Sequence, residues 1–399
     1  MAAAGEAGGF ELLSVGRILF GQGRAAELPD LVRSFGRIAL LVTNAGCPGA
    51  GGVTDRVAAM LTEAGVRVAL YPQRGEPTVA GVAEATETAR ADGCEVVVGL
   101  GGGSAIDTAK AAAALLTNGG GPLDYMEVVG QGRKITRPSA PWVAVPTTAG
   151  TGAEVTKNAV VACPERRFKA SIRGEQLLAR AVVVDPELGL DVPPDVTAQT
   201  GMDALCQLIE SYTSNRAQPI TDALAMAGIR RAARSLRRAF EDGRDADARA
   251  DMALAALLSG ITLTNAGLGA VHGFAAPLGA NFPAPHGAIC AALLPGVMAA
   301  NAAALRGESP EHPVLRRYAD IGRALTGRAE LADEQAVDAG VAAAAQLAKD
   351  LKVPPLSEYG LAGGRIDEMV SLARRSSSMR YNPVVLTDEA LAGVLRKAL

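Results

Sequence analysis

At 399 residues, with 49% hydrophobic and 20% charged residues and a formal net charge of −3, the chain has the composition of a globular protein long enough for two cores rather than one. That balance excludes a disordered chain and gives no sign of a nucleic-acid partner; its one basic run, Arg230, Arg231, Arg234, Arg237 and Arg238, is followed at once by Glu241, Asp242, Asp245 and Asp247, as on a solvated helix face. Cys47, Cys94, Cys163, Cys206 and Cys290 are odd in number and scattered with no C-x-x-C pair, and no signal-like leader or uninterrupted apolar stretch of spanning length stands out, so a reduced, cytoplasmic setting without a membrane partner is expected.

Residues 1–10 read as a loose Gly/Ala-rich leader. From about Arg37 to Asp185, short β-branched runs alternate with helix-like segments, the pattern of parallel strands joined by crossover helices. Strands are expected at 38–43, 66–71, 95–100, 142–145 and 182–184, each nearly all apolar as a strand buried on both faces must be. Helices are expected at 53–64, 79–91 and 105–116, and a hairpin within 157–172 that turns at Pro164, Glu165 and Arg166. Beyond Asp185 and Pro186 the strand signal stops. Helical spacing then predicts segments at 196–212, 221–241, 246–266, 287–305, 313–324, 333–351, 366–374 and 388–398. The expected organisation is an α/β unit at 1–187 and an all-α unit at 188–399.

The sharpest local signal is Gly101, Gly102, Gly103, Ser104, Ala105, Ile106, Asp107, Thr108, Ala109 and Lys110, a glycine turn between a buried strand and an Ala-rich helix. Glycines let the backbone approach a phosphate, and the free N–H groups and positive dipole end of the helix then hold it. Ser104 and Asp107 have the spacing of an N-cap pair. A tight turn without a ligand would look the same, and this is not the Rossmann fingerprint, because the first strand ends in Thr43, Asn44, Ala45 and Gly46. A second polar turn, Pro146 to Glu154, offers the hydroxyls of Thr147, Thr148 and Thr151 to a ligand or to its own loop backbone.

Only three histidines exist, and His272 and His286 share one segment. Upstream, Asp203 and Gln207 stand at i and i+4 on one helix face. Two imidazoles and a carboxylate suit a divalent ion such as iron, with the Gln207 amide oxygen as a weak fourth donor. Ordinary core histidines and a locally paired aspartate fit the same residues. His312, between Glu311 and Pro313, reads as a surface-loop residue, and Phe274, Phe282 and Tyr381 as core or pocket-lining aromatics.

Together these segments resemble the iron-containing alcohol dehydrogenase family, with its dehydroquinate synthase-like fold, from about Arg17 to Leu399. Residues 101–110 match its G-G-G-S-x-x-D-x-x-K, 146–154 its P-T-T-A-G-T-G-x-E, 201–212 its G-x-D-A-L segment, 269–287 its histidine segment, and Asn382 with Pro383 its late N-P. The resemblance implies a dinucleotide-binding α/β domain, a helical catalytic domain and a cleft between them. It implies NAD or NADP as cofactor, held by Gly102, Gly103 and Ser104 with Asp107 beside them, by Thr147, Thr148 and Thr151, and with Lys169 and Asn44 nearby. Asp203, His272 and His286 become ligands of iron or zinc that assist hydride transfer between a small alcohol or aldehyde and nicotinamide. A homodimer or higher homo-oligomer is expected by the same analogy.

Three departures from the family pattern all touch the chemistry. The fourth ligand, ordinarily histidine, is Gln207; a histidine beside the nicotinamide is Ala276; and an acidic residue at the end of the first strand is Asn44, whose neutral amide would not repel a 2′-phosphate. Two other readings stay open on the residues: a metal-independent reductase similar to maleylacetate reductase, and a nucleotide-binding protein without catalysis.

Overall fold

The computed structural model describes residues 9–45, 50–166 and 168–399; most of the expected leader, Gly46, Cys47 and Arg167 lie outside the described residues. Strands β1 (Ile18–Phe20), β2 (Ile38–Asn44), β3 (Arg67–Gln73), β4 (Val96–Gly101), β5 (Trp142–Pro146) and β8 (Ala181–Val184) form one parallel sheet in the order β1-β8-β5-β4-β2-β3. The sequence reading anticipates five of these. It misses β1, whose three residues pair with β8 at the sheet edge and are too few to carry a pattern.

Helices α1 (Leu28–Arg33), α2 (Ala50–Glu63), α3 (Val79–Ala91) and α4 (Gly103–Asn118) cover both faces of this sheet. Alternation along β2 decides which face each residue feeds: Ala39 and Leu41 pack with Leu28, Val32, Val57 and Leu61, whereas Leu40 and Val42 pack with Ala85, Ala89, Ile106 and Ala109. The short α5 (Pro122–Tyr125) precedes β5. Strands β6 (Asn158–Cys163) and β7 (Phe168–Arg173) form the expected antiparallel hairpin, turning at Pro164–Arg166.

After β8 every regular element is helical: α6 (Pro194–Thr213), α7 (Pro219–Glu241), α8 (Ala246–Ala266), α9 (Ala270–Asn281), α10 (His286–Glu308), α11 (Pro313–Thr326), α12 (Asp333–Asp350), α13 (Ile366–Arg374) and α14 (Asp388–Lys397). Helix α9 escapes the sequence reading because it is apolar on all sides, with Val271, Phe274, Ala275 and Leu278 buried, and so shows no polar stripe. Helix α10 is long and apolar enough to cross a membrane by length and composition, contrary to expectation, but most of it packs inside the helical core. On α7, Arg234, Arg237 and Arg238 pair with Asp251, Asp350 and Asp245 across exposed surface. His312 departs from the surface-loop expectation: its side chain is only 12% exposed and caps α11, Nδ1 accepting the Val314 N–H at 3.3 Å.

The two halves touch where the second polar turn meets α8. Gly152, at φ 60°, lies so close to Gly260 that a Cβ on Gly260 would stand 2.2 Å from the Gly152 carbonyl oxygen. Only glycine satisfies both demands there.

Candidate active site

The glycine turn closes over Asn44. Gly101 has φ 149° and a Cβ there would lie 2.1 Å from Asn44 Oδ1, while that same oxygen accepts the Gly102 N–H at 2.7 Å. Asn44 therefore holds the turn's backbone. Helix α4 opens with Gly102 at its N-cap, without a side-chain cap, so the first-turn N–H groups remain available to an anion. The proposed N-cap pairing of Ser104 with Asp107 is accordingly corrected: Ser104 lies inside the first turn, and Asp107 Oδ2 accepts the Val160 N–H of the hairpin at 3.0 Å, a full turn from the helix end.

Asp107 also faces Lys110, 3.5 Å away. Lys110 is fully buried, and its ammonium donates to Ala153 O (2.8 Å), Thr156 Oγ1 (2.8 Å) and Asn158 O (2.7 Å). One lysine thus ties α4 to the second turn and to β6. Burial lowers its pKa and raises that of Asp107, each opposed by the other's charge.

The two polar turns meet as expected: a Cβ on Gly102 would stand 3.1 Å from Thr148 Oγ1, and one on Gly103 3.0 Å from Thr151 Oγ1. Thr151 also accepts the Ala153 N–H at 3.3 Å, satisfying its own loop, and the Thr147 N–H donates to Gly101 O at 3.0 Å. Thr147, Thr148 and Ala149 line a cleft beyond the carboxyl ends of β5 and β8, walled by Asp185, Thr200 and Arg249. Glu154 sits at its side, 4% exposed, and burial pushes its carboxyl up to about 7. Lys169, on β7, pairs with Glu76 at 3.4 Å and reaches Gly279 of α9.

In the helical half, Asp203 from α6, His272 from α9 and His286 from α10 converge. Asp203 Oδ1 lies 3.2 Å from His272 Nε2 and 3.5 Å from His286 Nε2. Asp203 is 1% exposed, whereas the His286 side chain, 40% exposed, forms the open edge of the cluster. Burial alone would raise the Asp203 carboxyl, but the charges and hydrogen bonds of His286 and His272 hold it well below the usual carboxylate range. Burial likewise opposes protonation of His286, yet Cys290 and Asp203 push it up to about 10.

Sequence reasoning missed two members of this centre. Cys290, fully buried one turn beyond His286, places Sγ 3.7 Å from both His272 Nε2 and His286 Nε2, so the four donor atoms lie within 4.8 Å of one another. Glu210 backs His272: Oε2 is 2.6 Å from Nδ1, and Oε1 accepts the Val271 N–H at 2.7 Å. Both lay on readable helical spacings, i+4 from His286 and i+7 from Asp203. The expected donor Gln207 differs from its assigned place. Its Oε1 accepts from Ser259 Oγ at 2.9 Å, and its Nε2 faces the outer carboxylate oxygen of Asp203 at 3.3 Å.

Elements around the cluster are fixed by the late N-P segment. Asn382 accepts the Ala270 N–H at the start of α9 at 3.1 Å and exchanges hydrogen bonds with Asn301 of α10. Phe274 is fully buried core, Arg365 lies over Phe282 and Arg216 over Tyr381. Ala276 is exposed and brings no proton-carrying side chain.

An oxygen, two imidazole nitrogens and a sulfur converging in a buried pocket are the donors a divalent transition ion takes, so the residues fit a metal. A parallel α/β half with an anion-binding turn, joined to a helical half with such a centre, defines a nucleotide-dependent, metal-using oxidoreductase class. The comparisons agree. Residues 16–186 match the family described as iron-containing alcohol dehydrogenase, and 197–399 the C-terminal part of the Fe-containing alcohol dehydrogenase family. Choline dehydrogenase of Bacillus subtilis (strain 168) is 38% identical over 361 residues, 90% of this chain and 87% of that protein. The crystal structure of a 1,3-propanediol oxidoreductase superposes with a TM-score of 0.91 at 32% identity, covering 98% of this chain and 100% of that one. The NAD+ complex of sulfoacetaldehyde reductase from Bifidobacterium kashiwanohense gives 0.83 at 28% identity, with 98% of each chain covered. The chain belongs to the iron-containing alcohol dehydrogenase family. It is an oxidoreductase acting on CH–OH groups, with NAD-dependent alcohol dehydrogenase activity.

Proposed function

We propose that this chain interconverts a small primary alcohol and its aldehyde by metal-assisted hydride exchange with a nicotinamide cofactor, working in the cytoplasm as a homodimer or higher homo-oligomer. The observation that carries the reading is the convergence of buried Asp203, His272 and Cys290 with His286 at their open edge and Glu210 behind them. Residues 1–187 form the cofactor half and 188–399 the catalytic half in this reading.

When bound, the ion supplies Lewis-acid polarisation of the substrate oxygen. The chain's own residues supply the rest. Glu210 takes the Nδ1–H of His272, which turns the lone pair of Nε2 toward Asp203 and the cluster. Asp203 contributes the negative charge that a buried cation requires. The α4 N-terminus, with Gly102, Gly103 and Ser104, holds the cofactor diphosphate, with Thr151 against Gly103 and with Thr147 and Thr148 lining the cleft beyond. Lys169 sits at the rim, between the hairpin and α9. With alanine at 276 and that position exposed, the alcohol proton exchanges with solvent. Asn44 bonds the glycine turn and carries no charge against a 2′-phosphate, so this position does not repel NADP.

Bound metal is measured on the purified protein, and oxidation of NADH and NADPH is followed with short aldehydes before and after chelation. Activity lost on chelation and restored by a divalent ion is the expected result. Activity that survives complete metal removal would move the assignment to a metal-independent reductase. Nucleotide binding with no turnover would leave a non-catalytic binder.

A further inference from the structure

The resemblance puts the fourth metal ligand at position 207, and the structure puts something else in reach of the ion. Gln207 faces other partners: its oxygen lies 2.9 Å from Ser259 Oγ, whose single proton is shared with Ala256 O at 2.8 Å, and its amide nitrogen meets Asp203 Oδ2, the carboxylate oxygen that does not face the histidines. Cys290 brings a sulfur to the same cluster from a different helix. It follows His286 by four residues on α10, so both side chains leave the same helical face.

Distances decide how well that sulfur serves. Zinc bonds of about 2.0–2.3 Å at tetrahedral angles set neighbouring donor atoms about 3.4–3.6 Å apart. Here the carboxylate-to-imidazole separations are 3.2 and 3.5 Å, and both sulfur-to-imidazole separations are 3.7 Å. Four of the six separations among these donors therefore fall near the spacing that one small ion demands, and all six lie within 4.8 Å. The replacement also changes donor chemistry, because a thiolate is softer than imidazole or an amide oxygen and favours zinc and cobalt(II) over ferrous iron.

We propose that Cys290 is the fourth protein ligand of the catalytic metal, in place of residue 207, and that the resulting carboxylate, two-imidazole and thiolate set selects zinc over iron. The proposal rests on the metal-assisted reading above. On ligation the Cys290 thiol loses its proton to bulk water and the sulfur lone pair forms the bond to the ion, with no change of oxidation state.

The test is the absorption spectrum of the full-length protein, stripped of metal and reloaded with cobalt(II), with cobalt content measured on the same sample. A sulfur-to-cobalt charge-transfer band in the near ultraviolet is expected in the wild type, retained in Gln207→Ala and lost in Cys290→Ser. Loading from equal zinc and ferrous iron under anaerobic conditions should favour zinc, by a ratio that falls at least about tenfold in Cys290→Ser. Cobalt bound with visible ligand-field bands but no charge-transfer band in the wild type overturns the assignment of Cys290 and leaves the metal site standing, a result that needs no variant to fold. A band that survives in a folded Cys290→Ser, checked by circular dichroism, overturns it too, and an unchanged zinc-to-iron ratio overturns the selectivity. Failure of the wild type to bind cobalt or zinc at all removes the metal-assisted reading and this inference together.

Discussion

Two buried charge centres occupy the two halves of the molecule, and they differ in how their charges are satisfied. Lys110 in the α/β half has three neutral acceptors within 2.8 Å and Asp107 at 3.5 Å, so its ammonium is saturated by protein. In the helical half, Asp203, His272, His286 and Cys290 turn their titratable atoms toward one another, and every one of them can give a lone pair to a cation. The first arrangement ties an ammonium to backbone and hydroxyl oxygens and holds turns together. The second gathers four donors of the kind that bind a cation. Burial marks both, and the identity of the partners separates a structural charge from a functional one.

Substitutions should pull the two centres apart. Asp203→Asn removes the charge that balances the ion, and loss of several kcal/mol of transition-state stabilisation should lower kcat/KM by about 10³-fold or more, with metal content falling alongside. Metal content and steady-state rates measure it; a variant with full metal and near-normal turnover would sink the assignment. Lys110→Met should do the reverse. Three buried acceptors lose their donor and Asp107 its counter-charge, at a cost of about 3–5 kcal/mol in urea unfolding, with metal stoichiometry preserved in the folded fraction. If Lys110→Met unfolds at the wild-type urea midpoint, the ammonium is not holding the turns.

Glu154, beside the first centre, gives the contrast a pH axis. Its carboxyl is raised by burial from 4.5 to about 7 in the fold, so between those values the unfolded chain binds fewer protons than the folded one. Stability from this group is therefore full below about pH 4.5, falls as pH rises and levels off above about 7, a total near 3 kcal/mol at about 1.4 kcal/mol per pKa unit. Glu154→Gln should flatten that fall. The difference between the two proteins' unfolding free energies should change from pH 5 to about 7 and then hold constant to 8.5, and curves parallel over the whole range would show that Glu154 does not titrate there.

The same distinction explains how far the sequence could be read. Strands such as Val96–Gly101 are buried on both faces and announce themselves as unbroken apolar runs, so the sheet was legible apart from the three-residue β1. Scarcity exposed His272 and His286, since two of only three histidines share one segment. Ser104 and Asp107 had the form of a cap, but form alone does not reveal that a hairpin fifty residues on competes for the carboxylate of Asp107. Gln207 is the sharpest case. Its spacing from Asp203 was right for a ligand, yet its amide oxygen is claimed by Ser259 on another helix, which only the packed structure brings near. Cys290 and Glu210 carried readable spacings but no local motif to single them out among buried residues.

Glu210 supplies the subtlest test of the functional centre. It touches no donor position itself; its carboxylate accepts from His272 Nδ1 at 2.6 Å and is anchored by the Val271 N–H, so it sets which nitrogen of the ring is free. In Glu210→Gln the amide oxygen can still accept one hydrogen bond, but the negative charge that raises ligand basicity is gone. Metal affinity should fall about 10–100-fold, less than for loss of a ligand. Competition with a chromophoric chelator reads this directly. A purely structural role predicts instead a lowered unfolding midpoint with unchanged affinity in the folded protein, and Glu210→Asp, which keeps the charge but shortens the reach, should recover affinity only to the extent that its carboxylate still meets Nδ1.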